Sequence, residues 1–451
     1  MTGRYKPYPE YKGSGVEWLG DVPEHWGRVP LKYMALESES LFLDGDWIES
    51  KDISGEGIRY ITTGNVTNGK YREQGAGYIT EDTFLKLNCT EVLEGDVLIA
   101  RLNDPIGRAC IVPNLESKIV TSVDNVIFRP DKQYQKNYLV HLFSSEGYFR
   151  HTGNLARGAT MQRISRGLLG NIRIVTPPFE EQGQIAKFLD HETAKLDTLI
   201  EKQQQLIQLL KEKRQAVITH AVTKGLSSLN SGPSAKLRDS GVEWLGEVPE
   251  HWVVCAIKRQ LHSLDFRRVP LSGEERSFKS GEYRYYGASG VIDYIDDYIF
   301  DEATVLVGED GANLVNRNSP LAFSAHGKYW VNNHAHILKP DDGLADYWAE
   351  TIEHIDINPL VSGSAQPKLT AEALNNLKIA FPPLVDERKS IQEFISEQKS
   401  KFSRVIDRAE NQITLLQERR TALISAAVTG KIDVRDWVAP QASQTHKEVA
   451  A

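Results

Sequence analysis

Two rhythms of apolar residues alternate along the chain. From Ile185, alternating steps of four and three reach Leu189, Glu192, Leu196, Leu199, Gln203, Leu206, Leu210, Lys213 and Val217, and seven of these ten positions are apolar. The same steps from Ile391 reach Ile395, Gln398, Phe402, Val405, Ala409, Gln412, Leu416, Arg419 and Leu423, again seven of ten. A sustained 3.5-residue period marks a coiled-coil seam. It predicts two long helices, each of some ~43 residues and ~65 Å. Proline pairs precede both (Pro177-Pro178 and Pro382-Pro383), and acids fill the first turns (Glu180, Glu181, Asp386, Glu387), as helix starts favour. The seam polarity favours an antiparallel pair. That arrangement brings Glu192 toward Arg419 and Gln398 toward Lys213, and stacks Leu196 on Leu416.

The second rhythm consists of short β-branched runs between Gly, Asn and Pro: IRYITT (58–63), DVLIAR (96–101), ACIV (109–112) and NVIF (125–128). In the other half come YRYYGASGVIDYI (283–295), TVLVGEDG (304–311) and HAHIL (334–338). Such runs predict short strands joined by turns, in two mixed domains.

The halves share a scaffold. SGVEWLGDVPEHW (14–26) returns as SGVEWLGEVPEHW (240–252), and the helical stretches end HAVT (220–223) and AAVT (426–429). A domain-sized repeat predicts two tandem half-molecules. The fold class expected is α+β: two strand-rich mixed domains separated by two long helices in an antiparallel coiled coil, with a pseudo-two-fold internal repeat. The expected divisions are a repeated N-terminal segment (1–26), a first variable domain (27–176), a first long helix (177–223) and a Ser/Gly-rich linker (224–239). A repeated segment with a second variable domain (240–381), a second long helix (382–430) and a C-terminal tail (431–451) follow; beyond about Asp436 the tail reads as disordered.

Composition narrows the function. The 451 residues are 40% hydrophobic and 25% charged, enough for two or three ordinary domains. Cys89, Cys110 and Cys255 form no CxxC and no even framework, as expected of a reducing cytoplasm. The first residues lack the apolar core of a signal peptide, and no apolar run approaches a membrane span. The net charge of −8 gives no general basic surplus, leaving nucleic-acid binding to local fields. Catalytic signatures are empty. TPPF (176–179) approaches the adenine-holding loop of amino-methyltransferases, but it recurs as FPPL (381–384) without the polar first residue and without a glycine-rich cofactor loop. No P-loop is present. His334 and His336 alternate on a strand with no third or fourth ligand nearby, so no metal site is expected.

Between Ala156 and Phe179 lie four arginines (Arg157, Arg163, Arg166, Arg173) and no acid. Gly158, Thr160, Gln162 and Arg163 are matched in the second half by SGSAQPK (362–368), with Ser364, Gln366 and Lys368. Hydroxyls beside Gln and a cation suit contacts to phosphates and base edges. The repeated Trp residues read as a packing clasp.

The paired SGVEWLG(D/E)VPEHW segments, the proline–acid–helix elements and the two dissimilar strand-rich segments resemble the specificity subunit of type I restriction–modification systems. Within the variable segments, DVLIARLNDPIGRACIV (96–112) and YYGASGVIDYI with VLVGEDGA (285–312) are similar to target-recognition-domain strands and turns. The resemblance implies a non-catalytic cytoplasmic subunit with two target recognition domains, each reading one half of a bipartite, asymmetric site in double-stranded DNA. Two methyltransferase subunits carrying S-adenosylmethionine would dock on it, and restriction–translocase subunits would use ATP and Mg. The chain itself would hold no cofactor and meet no membrane. The implied DNA-contacting set is Asn65, Arg101, Asn103, Arg157, Thr160, Gln162, Arg163, Ser289, Arg317, Ser364, Gln366 and Lys368. The implied helix interface is Leu189, Leu196, Leu199, Leu206, Leu210, Ile395, Phe402, Val405, Leu416 and Leu423. The alternative is an adaptor, with a coiled coil carrying two β-rich protein-binding modules.

Overall fold

The computed structural model describes residues 5–16, 18–75, 77–227, 236–363 and 366–440. The chain divides into two compact units, one of residues 1–203 with 411–451 and one of 204–410, so each long helix begins in one unit and ends in the other.

In the first unit, Leu41–Asp44, Asn125–Arg129, Val97–Ala100 and Ala109–Ile111 form an antiparallel sheet in that order. In the second unit, Leu261–Ser263, Ala335–Pro340, Thr304–Gly308 and Ala322–Ala325 do the same. Val97–Ala100 and Thr304–Gly308 are buried throughout, which is why they read as unbroken apolar runs rather than alternating ones. Beside each sheet lies a second one with one parallel pairing: Ile58–Ile61 along Ile119–Thr121, and Ser280–Gly287 along Lys328–Val331. The two variable segments therefore share a topology that their residues do not advertise.

The repeated segments close each unit by one device. Trp26 and Trp252 are fully buried, and their indole N–H groups donate to Glu181 (2.9 Å) and Glu387 (3.1 Å) at the starts of the long helices. His25 and His251 reach the same carboxylates. The helices end at Gly225 and Gly430, both left-handed, where a Cβ would lie 3.4 Å from Trp252 and 3.2 Å from Trp26.

The helices are Phe179–Lys224 and Val385–Val428. The first unit's core joins Leu189 and Leu196 to Leu423, Ile424 and Ala427, with Leu416 at its margin. The second unit's core joins Ile218, Ala221 and Val222 to Ile391 and Ile395. The start of each helix meets the end of the other, so the pair is antiparallel.

The seam departs from strict alternation. Leu199, Leu206 and Val405 are exposed, while Ile200 and Ile207 are half-buried and Ile406 is buried; Leu210 is half-buried and Phe402 buried. Both helices step 3, 4 and 4 at the same place, 189–192–196–200 and 395–398–402–406. An 11-residue step averages about 3.67 residues per turn, closer to an unstrained helix than 3.5. A cross-helix ion pair joins Asp197 to Arg420 (2.8 Å), one residue along from the expected Arg419, while Glu192 is buried beside Lys195.

Two further expectations are corrected. Leu237–Asp239, at the end of the expected linker, is a strand pairing with Glu247–Pro249, while residues 228–235 lie outside the described residues. In the tail, Val434 is buried and Trp437 packs edge-on against Phe188 at 5.4 Å; residues 441–451 lie outside the described residues.

Candidate nucleic-acid interface

Two small hairpins of equivalent build stand on the two units. In the first, Arg157 and Arg163 exchange backbone hydrogen bonds, both 2.9 Å, closing residues 158–162 into a tight loop. In the second, Ser362 and Lys368 exchange the same two backbone bonds at 2.9 and 2.8 Å, and residues 364 and 365 between them lie outside the described residues. Each loop opens with a left-handed glycine. A Cβ on Gly158 would come within 2.3 Å of the Met161 carbonyl, and one on Gly363 within 2.6 Å of the Gln366 carbonyl. Each hairpin is stitched to the turn that leaves the central strand. Asn103 N donates to Gln162 O (3.1 Å) and Ile164 N to Arg101 O (3.0 Å). Gly311 N donates to Pro367 O (3.0 Å) and Leu369 N to Glu309 O (2.8 Å). Ile164 and Leu369 plug the feet into the units, fully buried.

Beneath each hairpin lies an ion network, and the charges are inverted between halves. Arg101 is 5% exposed; it faces Asp44 at 3.0 Å and donates to the carbonyls of Ile164 (3.1 Å) and Val123 (2.5 Å). Burial pulls its pKa below the ordinary arginine value. The corresponding residue in the second half is Glu309, which accepts from Arg268 (2.5 Å) and pairs with Lys368 (3.2 Å). Burial alone would raise the Glu309 pKa, but the hydrogen bond from Arg268 and the charges of His336, Lys368 and Arg268 bring it below the ordinary value. His336, 1% exposed, bridges Asp265 (2.7 Å) and the Leu369 carbonyl (2.9 Å). Burial opposes its charged form, yet these acceptors and Glu309 outweigh that and lift its pKa. His334 turns outward to Asp310 at 2.8 Å.

The expected contact residues separate accordingly. Arg157, Thr160, Gln162 and Arg163 are exposed together on the first hairpin, with Arg163 braced by Asp124 at 2.7 Å. Gln366 and Lys368 are exposed on the second, and Ser364 lies outside the described residues. Asn103 is exposed in the adjoining turn in a left-handed conformation, and Ser289 sits at the tip between Ser280–Gly287 and Gly290–Ile295.

Two candidates, Asn65 and Arg101, are corrected, and a third, Arg317, is already paired. Asn65 is buried, and its amide is consumed by Thr62 N (2.9 Å) and Arg72 O (3.1 Å). Arg101 serves as the internal foot just described. Arg317 ends a short helix in the left-handed region and pairs with Glu353 at 3.1 Å. For Asn65 and Arg101, polar atoms with internal partners leave little for a base, whereas Arg317 is half-buried, and paired much as Arg163 is. Arg108 carries no mark in the sequence; it organises the first turn by donating to the carbonyls of Val66, Leu102, Asn103 and Thr63 at 2.7–3.0 Å. Glu309 was equally hidden, because comparison of the halves sets it opposite an arginine.

Comparison with known proteins agrees with this architecture. The family model for the type I restriction modification DNA specificity domain matches residues 40–210 and 261–415. A protein of Methanocaldococcus jannaschii assigned as the MjaX type I restriction enzyme specificity subunit is 23% identical over 437 residues, covering 92% of this chain and 96% of its own. A Haemophilus influenzae protein assigned as the specificity subunit S.HindORF215P is 34% identical over 107 residues, 23% of this chain and 27% of its own. Among solved structures, the fold is similar to a chain from work on complex assembly and conformational transition of the type I R-M system, with TM-score 0.62, 16% identity and coverage of 91% and 99%. It is also similar to the HsdS subunit from Thermoanaerobacter tengcongensis, with TM-score 0.52, 16% identity and coverage of 91% and 98%. With matches to both variable segments and most of both helices, this chain belongs to the type I restriction–modification DNA specificity family, as a non-catalytic DNA-recognition subunit.

Proposed function

We propose that each unit reads one half of a bipartite, asymmetric site in double-stranded DNA, through the hairpins 157–163 and 362–368. The observation carrying this reading is their duplication: the same glycine-opened, ion-footed loop occurs twice, with different side chains at the tips. Two unlike readers on one chain suit an asymmetric site, whereas two identical readers would require a palindrome. A DNA specificity subunit with no further activity needs partners. In this reading two modification subunits dock on the repeated scaffold, bind S-adenosylmethionine and methylate an adenine in each half-site. Restriction–translocase subunits supply ATP- and Mg-dependent cleavage, and the assembly works in the cytoplasm. Family membership favours this reading over a coiled-coil adaptor of proteins.

The test is modular exchange. Replacing residues 27–176, the first variable domain with its hairpin, by the corresponding segment of a relative, then mapping methylated adenines in the host genome, should change one half of the recognised site and leave the other untouched. A change in both halves together would refute the two-reader scheme.

A further inference from the structure

Trp47 and Phe266 occupy the same place in the two units. Each follows by three residues the edge strand of its four-stranded sheet, Leu41–Asp44 in one and Leu261–Ser263 in the other. They are 67% and 83% exposed, among the most exposed aromatic side chains of the described residues. Each is tied to its hairpin's foot. The Asp46 carbonyl, one residue before Trp47, accepts from Val123 N (2.9 Å), and the next residue, Asp124, holds Arg163. Asp265, one residue before Phe266, binds His336, which in turn donates to the Leu369 carbonyl.

The nearby acids are already engaged. Asp46 accepts from Thr90 N, Glu49 pairs with Lys51 and also accepts from the Trp47 indole N–H, and Asp52 accepts from Glu49 N. In the second unit Asp265 is held by His336 and Ile337 N, while Arg267 and Arg268 follow Phe266 directly. The residue type also matters. One half carries an indole and the other a phenyl ring, in segments that share no sequence. A protein partner docking alike on both halves would meet the repeated scaffold residues instead. Any π-face can stack on a base, whichever aromatic supplies it, and apolar side chains wedge between base steps in duplexes that bend.

We propose that Trp47 and Phe266 each stack on, or wedge into, a base step of duplex DNA beside the adjoining hairpin. This rests on the reading that the hairpins face DNA. The test uses the full chain assembled with its modification subunits, and a duplex carrying the site mapped from methylated adenines. 2-Aminopurine is placed in turn at steps of each half-site. Phe266→Ala should weaken binding by roughly 5- to 150-fold, the range one stacked base supplies, and abolish the 2-aminopurine change in one half-site only. Trp47→Ala should do so in the other. Phe266→Trp and Trp47→Phe should retain binding, and tryptophan fluorescence quenched by DNA in the parent should be smaller in Trp47→Phe.

If both alanine variants bind and report like the parent while Arg163→Ala or Lys368→Ala weakens binding, this inference is overturned and the hairpin reading stands. If all four are neutral, the hairpin reading falls and takes this inference with it. If Phe266→Ala or Trp47→Ala releases a modification subunit without altering DNA affinity of the assembled fraction, the aromatic belongs to a protein interface and the inference is likewise overturned.

Discussion

Removing the Glu181 carboxylate should destabilise its unit more than removing Glu387 destabilises the other. Glu181 is buried and receives three groups: Tyr8 Oη at 2.6 Å, His25 Nε2 at 2.7 Å and Trp26 Nε1 at 2.9 Å. Tyr8 and Trp26 are themselves buried, whereas His25 is open enough to recover water. Glu181→Ala therefore strands two buried donors. Each costs about 1–3 kcal/mol when left unpaired, so the loss is about 2–6 kcal/mol. Glu387 receives Trp252 Nε1 at 3.1 Å and the exposed His251. Glu387→Ala strands one buried donor, for about 1–3 kcal/mol. Native-state hydrogen exchange reads these local stabilities separately. Protection in residues 8–30 and 173–190 should fall in the first variant by more than protection in residues 247–256 and 378–395 falls in the second. Equal losses, or a larger loss for Glu387→Ala, would refute the accounting by buried donors. Glu181→Gln, which keeps one acceptor oxygen, should recover part of the loss.

Cysteines placed at Leu196 and Leu416, in a background lacking Cys89, Cys110 and Cys255, should crosslink readily, and a Leu196/Phe402 pair should not; the reverse would mean parallel helices. Alanine at Gln162, Arg163, Gln366 and Lys368 should weaken DNA binding of the assembled complex and spare assembly, with the cations lowering the salt slope by about one each; unchanged affinity for all four would return the hairpins to ordinary solvated loops. The second hairpin should respond to pH. Because His336 is held above its ordinary value near 6.5, its stabilisation is complete below that pH and is lost as pH rises through the folded pKa. Glu309 and Asp265 are held low, so their contributions are lost only toward acid. Exchange protection at Leu369, corrected for intrinsic rate, should hold below about pH 6.5 and fall as pH rises through the elevated folded pKa in the parent, changing less in His336→Gln, and a flat parent profile would contradict this.

The sequence by itself determined whatever depends on neighbours a few residues away or on literal repetition. The duplicated SGVEWLG segments announced two halves, and the apolar period announced two long helices with capped, acidic starts. The antiparallel sense was also expected, although the pair that joins the helices, Asp197 with Arg420, is not the Glu192–Arg419 pair that suggested it. Tertiary structure decided the rest. The slip from Leu199 to Ile200, and from Val405 to Ile406, depends on which face the partner helix covers, and a string of Leu and Ile offers either. Arg101 has the chemistry of a DNA contact but spends it on the Val123 and Ile164 carbonyls and on Asp44, all far away in the chain, whereas Asn65 spends its amide on its own turn, Thr62 and Arg72. The shared design of the variable segments was hidden for the same reason. An ion pair is satisfied with its charges in either order, so Arg101 over Asp44 in one half and Glu309 over Arg268 in the other support the same hairpin while sharing no residue.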